Sequence, residues 1–327
     1  MTDVMKPVHR RRVIQLFAAS AAFGLSPVPA RAGNALRHWS GLAMGADASL
    51  TIRHEDAREA ERLLWLARQE ISRIESIFSL YRSQSALSRL NREERLNAPP
   101  QDLLGLLSLC GAIHRATEGA FDPAIQALWE YHAQTLSGVR PVDEEEFLGI
   151  LDPSGWAHLE VSPDLITFQK PGAALTLNGI AQGYATDKVV ALLRANGLEH
   201  VLASVGEIAA MGERAPDEPW RIGLNNPTEG EGPLQLILKD LAIATTAPLA
   251  TTLDPAGRIG HIINPRSGLP AQSQWRQISV IHPSAAIADG LSTGMALLDK
   301  AAIERSLQGY AKARVIAFNQ SGEKIML

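Results

Sequence analysis

Thr176-Leu177-Asn178-Gly179-Ile180-Ala181-Gln182-Gly183-Tyr184-Ala185-Thr186-Asp187 stands between a short apolar run, Ala173 to Leu177, and a segment ending at Gly197 in which Val189, Val190, Leu192 and Leu193 recur at helical spacing. The reading is a buried strand, a turn with two glycines, and a helix over 187–196. Backbone can approach a ligand closely at such a junction, and the free amides and dipole of a helix's first turn favour an anion. A phosphate cradle is one expectation. A tight turn without ligand is the other, because neither GxGxxG nor GxxxxGK[ST] can be read there.

Outward from this run, Leu63, Ala67, Ile71, Ile74 and Phe78 place a long amphipathic helix over 56–78. Leu103, Leu104, Leu107, Cys110 and Ile113 place a second over 101–117, with Gly119 as its stop. His114 reads as a helix-end or surface histidine. A short acidic helix is expected over 143–151, and strands over 157–161, 165–168, 201–209, 220–224, 234–238, 242–246, 259–263 and 278–281. Helices over 286–298 and 301–309 and a hairpin of 314–318 with 323–326 complete the pattern. Strands and helices mix without a regular βαβ repeat. The expected class is therefore α+β with mixed or antiparallel sheets, not a doubly wound sheet.

Of 327 residues, 46% are hydrophobic, and the formal net charge is -4. That balance gives no clustered basic face for nucleic acid, so a small molecule or a protein is the expected partner. Arg10, Arg11 and Arg12 precede an apolar stretch from Val13 to Leu25, followed by Pro27, Pro29 and Ala30-Arg31-Ala32. The stretch is short for a bilayer span and Ala30-x-Ala32 suits cleavage, so 1–32 is expected to be an export signal and 33–327 one mature domain. The arginines resemble a twin-arginine signal, with His9 where Ser or Thr is usual and Gln15 where Lys is usual. Cys110 is the only cysteine, which leaves neither a lipid anchor near the cleavage site nor a disulfide framework. A soluble periplasmic protein held by its core is expected.

Three further groups could carry chemistry. Asp289 and Thr293 stand four apart at the start of an apolar helix and so share a face, and such oxygens suit a hard cation like Mg²⁺. The other reading makes Asp289 an N-cap. His261-Ile262-Ile263-Asn264-Pro265-Arg266-Ser267-Gly268 reads as a strand entering a polar turn, either an ordinary exit or a place where His261 and Arg266 face a phosphate. Tyr81, after the first long helix, and Phe121, in Gly119-Ala120-Phe121-Asp122-Pro123, could pack on a flat ligand or in the core.

In chain order these blocks resemble the ApbE family of FAD:protein FMN transferases. They are Met44-Gly45, then Phe78-Ser79-x-Tyr81-Arg82 with Ser88 and Asn91, then Gly119 to Pro123, the Gly179 to Asp187 run, His261 to Gly268, and Asp289-x-x-x-Thr293. The resemblance spans roughly residues 38 to 327. It implies a T-fold-like α+β protein that binds FAD and Mg²⁺ and moves FMN onto a threonine hydroxyl of a partner, releasing AMP. It implies flavin-adenine contacts at Met44, Tyr81, Ala120, Phe121 and Asp122, and further FAD contacts at Thr176, Gln182 and Ile263. It places the metal on Asp289, Thr293 and a carbonyl at or near Gly179, with His261 a candidate for proton handling beside Asp289.

The family commonly carries Asp-Leu-Gly-Gly-Ile-Ala-Lys-Gly in the cradle, where this chain has Thr176, Asn178 and Gln182 in place of the charged and first glycine positions. Gly206-Glu207, Thr245-Thr246-Ala247 and Asn264 are further departures. They resemble the NosX branch, linked to nitrous oxide respiration and nitrous oxide reductase maturation, whose implied partner is a NosR-type membrane protein. An active transferase and a periplasmic FAD-binding accessory protein both remain open, since lost cradle charges weaken transition-state stabilisation. A generic solute-binding protein would not need an Asp and Thr pair at metal-ligand spacing.

Overall fold

A computed structural model describes residues 36–228 and 232–327. The export signal expected over 1–32 lies outside the described residues. In chain order they form β1 (Leu36–Ala43), β2 (Ala46–Arg53), α1 (Ala57–Phe78), α2 (Ala86–Glu93), β3 (Arg95–Asn97), α3 (Gln101–Ala116), α4 (Gln126–Leu136), α5 (Glu144–Leu151), β4 (Leu159–Val161) and β5 (Leu165–Phe168). There follow α6 (Ala181–Ala195), β6 (Val201–Val205), β7 (Ile208–Met211), β8 (Trp220–Leu224), β9 (Leu234–Leu238), β10 (Leu241–Thr246), β11 (Trp275–His282), α7 (Ala285–Met295), α8 (Lys300–Leu307), β12 (Arg314–Asn319) and β13 (Lys324–Met326).

Eight strands make one antiparallel sheet in the order β1-β2-β6-β7-β10-β11-β12-β13. In β2 every second residue, Ala46, Ala48, Leu50 and Ile52, is buried, the period of a strand with one face on the core. α1, α6 and α7 cover that face. α1 turns Leu63, Ala67, Ile71, Ile74 and Phe78 inward, and each large side chain so buried contributes about 1.5–3 kcal/mol. β11 is buried on both faces because the β8-β9 ribbon covers the other side of the sheet, packing Trp220, Ile222 and Leu238 on Ile281, Ile316 and Phe318. The α+β class with antiparallel sheets is thus observed.

Four expectations change. The one strand expected over 201–209 is a hairpin, β6 and β7 paired antiparallel about Gly206-Glu207. Ala173 to Leu177 is extended but belongs to no ladder. At Leu175 its partner is a side chain: Asn91 accepts the amide through Oδ1 and donates Nδ2 to the carbonyl, each at 2.8 Å, while Thr176 donates its amide to the Pro123 carbonyl at 2.8 Å and the Ala174 carbonyl accepts the Gln126 amide at 3.2 Å. Residues 259–263 likewise form isolated bridges only, Thr252 with Gly260 and Ile263 with Pro270. The helix expected over 187–196 begins six residues earlier, at Ala181, so the second glycine of the run is helical.

Candidate active site

That early start follows from packing. A Cβ on Gly183 would stand 2.3 Å from the Ala285 carbonyl oxygen, so only glycine lets the first turn of α6 lie against the first turn of α7. Gly179 is similar, since its Cβ would stand 2.9 Å from the Thr293 hydroxyl. Both glycines therefore serve the approach of α7, which brings Asp289 and Thr293 to the cradle. Thr293 Oγ1 donates to the Gly179 carbonyl at 3.3 Å, and Asp289 Oδ2 accepts the Gly183 amide at 3.0 Å.

Asp289 is not the N-cap of its own helix. Ser284 holds that position, accepting the Ile287 amide, and Asp289 lies in the second turn. The capping alternative is excluded for α7. A carboxylate, a hydroxyl and a carbonyl, all oxygen and all on one wall, fit a hard cation such as Mg²⁺.

These groups line a cavity of about 240 Å³. Phe121, Trp129, Ile262, Ile263 and Leu297 give it apolar walls, and Thr176, Asn178, Gln182, Glu207, Thr245, Thr246 and His261 give it polar ones. Asp122, Glu207 and Asp289 bring three carboxylates to the lining, and among the described residues no lysine or arginine joins them. Burial, with a contribution from the Asp187 charge, pushes Asp289 up to about 7 against the single Gly183 amide that favours its ionised form. Burial and the neighbouring Asp289 charge push Glu207 well above the ordinary carboxylate range. Burial also lowers His261, whose Nδ1 is 3.1 Å from the Thr251 carbonyl, so the ring is neutral near pH 7.

Of the residues expected at the site, Ala120, Phe121, Asp122, Thr176, Gly179, Gln182, His261, Ile263, Asp289 and Thr293 all line this cavity. Asp122 does so with both oxygens engaged, Oδ1 by the Ala124 amide at 2.8 Å and Oδ2 by the Trp156 amide at 2.9 Å, and so shapes the loop. Gln182 folds its side chain over Gly206, where φ is +93°. Met44 and Tyr81 are not among the lining residues. They meet at the β1-β2 turn, where the Tyr81 ring lies over Gly45 and Met44 donates its amide to Glu75 at 2.9 Å, while Ala46 of the same hairpin does reach the cavity.

Arg266 is also outside the lining. Its guanidinium donates to the Glu118 carbonyl at 2.8 Å, which leaves His261 alone of that pair facing the cavity. His114 supports the loop instead of a ligand, with Nδ1 2.9 Å from the Phe121 carbonyl. Sequence reading marked Glu207 only as a departure, not as a cavity carboxylate. No periodicity identifies it; a glycine-acid pair between two apolar strands is the one local signal.

The ApbE family model matches residues 44–317 of this chain. A FAD:protein FMN transferase of Vibrio cholerae is 27% identical over 271 residues, covering 80% of this chain and 81% of that protein. Another, of Chlamydia pneumoniae, is 30% identical over 245 residues, 69% of this chain and 73% of its own length. The solved flavin transferase ApbE from Vibrio cholerae superimposes with a TM-score of 0.77 at 24% identity, over 90% of this chain and 97% of that one. An ApbE protein from Thermotoga maritima superimposes equally, with a TM-score of 0.77 at 23% identity, over 89% of this chain and 96% of that one. With most of its length matched by the family model, this chain belongs to the ApbE family.

Proposed function

We propose that this chain is a flavin transferase that moves FMN from FAD to a threonine hydroxyl of a partner protein and releases AMP, with Mg²⁺ required. The observation that carries the reading is the convergence of Asp289, Thr293 and the Gly179 carbonyl on one wall of a cavity whose other walls are apolar and aromatic. Those three groups would hold the cation, which supplies charge neutralisation at the FAD pyrophosphate that the cavity's own side chains lack. Phe121, Trp129 and Ile263 offer apolar surface to flat rings. In the reaction the threonine oxygen forms a bond to the FMN phosphorus, the bond from that phosphorus to the bridging pyrophosphate oxygen breaks, and AMP leaves with that electron pair. The hydroxyl proton goes to a base, and the neutral, cavity-facing His261 is the candidate to receive it.

The sequence features around the cleavage site support action in the periplasm, and the NosX-like departures support a NosR-type acceptor. No helix among the described residues is long and apolar enough to cross a membrane. One observation favours the second reading, a flavin-holding accessory protein: among the described residues three carboxylates and no lysine or arginine line the cavity, with Gln182 where the family commonly has lysine. Chromatographic measurement of AMP separates the two. Release from FAD and Mg²⁺ in proportion to added acceptor protein supports transfer; bound FAD with no AMP released would rule it out.

A further inference from the structure

The central run ends on Asp187, a half-buried carboxylate that the proposed chemistry does not use. From α6 it reaches the start of α7. Ser284 Oγ donates to Oδ2 at 2.6 Å, the Ala285 amide to Oδ1 at 2.7 Å and the Ala286 amide to Oδ2 at 3.0 Å. In return, Asp289 of α7 accepts the Gly183 amide in the first turn of α6, where the capping position is Ile180 and no side chain of α6 bonds the free amides. Each helix has N-terminal amides closed by an aspartate of the other, an arrangement also favoured by the positive ends of both dipoles. Gly183 keeps the two first turns in backbone contact.

The placement of the cation-holding oxygens depends on this junction. The Gly179 carbonyl precedes α6, whereas Asp289 and Thr293 ride on α7. A slide of one helix start against the other by half an ångström would disturb all three at once. Asp187 is the α6 side chain that fixes the first turn of α7, and His282 steadies the same turn by accepting the Ser284 amide at 3.0 Å.

We propose that Asp187 is a positioning residue for the cation site, acting through the first turn of α7 to hold Asp289 and Thr293 against Gly179. This rests on the transferase reading for the use of that site. The test compares wild type with Asp187→Asn, which keeps the size but loses one acceptor oxygen, using Mn²⁺ as a paramagnetic probe and amide exchange as a metal-free readout. The expected result is Mn²⁺ bound at least about tenfold more weakly. Faster exchange is expected at Ala285 and Ala286 and also at Gly183, whose amide bonds to Asp289 and not to Asp187. Asp56→Ala, which removes an N-cap accepting two amides at the start of α1, serves as the stability control and should bind Mn²⁺ as wild type does.

Should Asp187→Asn fail to fold, Ser284→Ala removes one of the three donors to Asp187 together with the cap on the Ile287 amide, so its deciding readouts are Mn²⁺ affinity and exchange at Gly183, which should change as in Asp187→Asn but in smaller degree. Mn²⁺ affinity within twofold of wild type, with exchange altered at Ala285 and Ala286 alone, would overturn the proposal. A wild-type chain that binds no Mn²⁺ would defeat the transferase reading instead, and exchange at Gly183 would still decide whether Asp187 governs the junction.

Discussion

Asp289→Asn should stabilise the metal-free protein at pH 8 while removing its affinity for a divalent cation. Asp289 is only 4% exposed, and burial lifts its carboxyl from 3.8 to about 7. Between those values the folded protein holds a proton that the unfolded chain has released, so stability falls as pH rises. The penalty is absent below about pH 4, grows between about 4 and 7, and is complete above about 7. At 1.36 kcal/mol per pKa unit it is at most about 4 kcal/mol, and relaxation around the charge brings the expected value to roughly 1–3 kcal/mol. Asparagine carries no charge yet keeps an oxygen for the Gly183 amide, now accepted at 3.0 Å.

The assay is thermal unfolding in chelator across this pH range, at roughly 1.5–2 °C per kcal/mol for a chain of about 300 residues. The variant should melt a few degrees above wild type at pH 8, and the two should converge below about pH 4. Added Mg²⁺ should raise the wild-type melting temperature and leave the variant unmoved. Parallel curves, with the variant less stable by one margin at every pH, would refute the reasoning and reduce Asp289 to a hydrogen-bond acceptor.

Two other substitutions address the frame around the site. Gly183→Ala places a Cβ 2.3 Å from the Ala285 carbonyl oxygen and should cost about 1–3 kcal/mol or more in urea unfolding, as α6 and α7 separate; an unchanged midpoint would contradict the close approach. Asn91→Ala leaves the Leu175 amide and carbonyl without their partner and should cost about 2–3 kcal/mol. Leu175 amide exchange unchanged in that variant would show that the segment does not depend on Asn91.

Much of the frame was legible because it is set locally. The long helix over α1 and the strand at β5 announce themselves by period, and Asp56 and Asp143 cap α1 and α5 as acidic residues before apolar runs do. The segment before the cradle has the pattern of a strand but no ladder, because its bonds go to the Asn91 side chain, 84 positions away in sequence, and to the backbone of Pro123 and Gln126, and no local pattern carries that information. The start of α6 was placed late because two glycines read as a turn, whereas they answer the neighbouring helix. Asp289 and Thr293 were legible as a pair from spacing alone. Their role over capping needed Ser284 at the cap and Gly183 across the junction. Glu207 faces the cavity only because β6 and β7 turn there, a fact of topology.

The central claim is that this chain attaches FMN to a threonine hydroxyl. Intact-mass spectrometry of an acceptor fragment with a single candidate threonine, incubated with the chain, FAD and Mg²⁺, tests it most directly. The predicted result is a gain of one FMN less water with wild type and none with Asp289→Asn. An acceptor of unchanged mass while the wild-type chain holds FAD would contradict it.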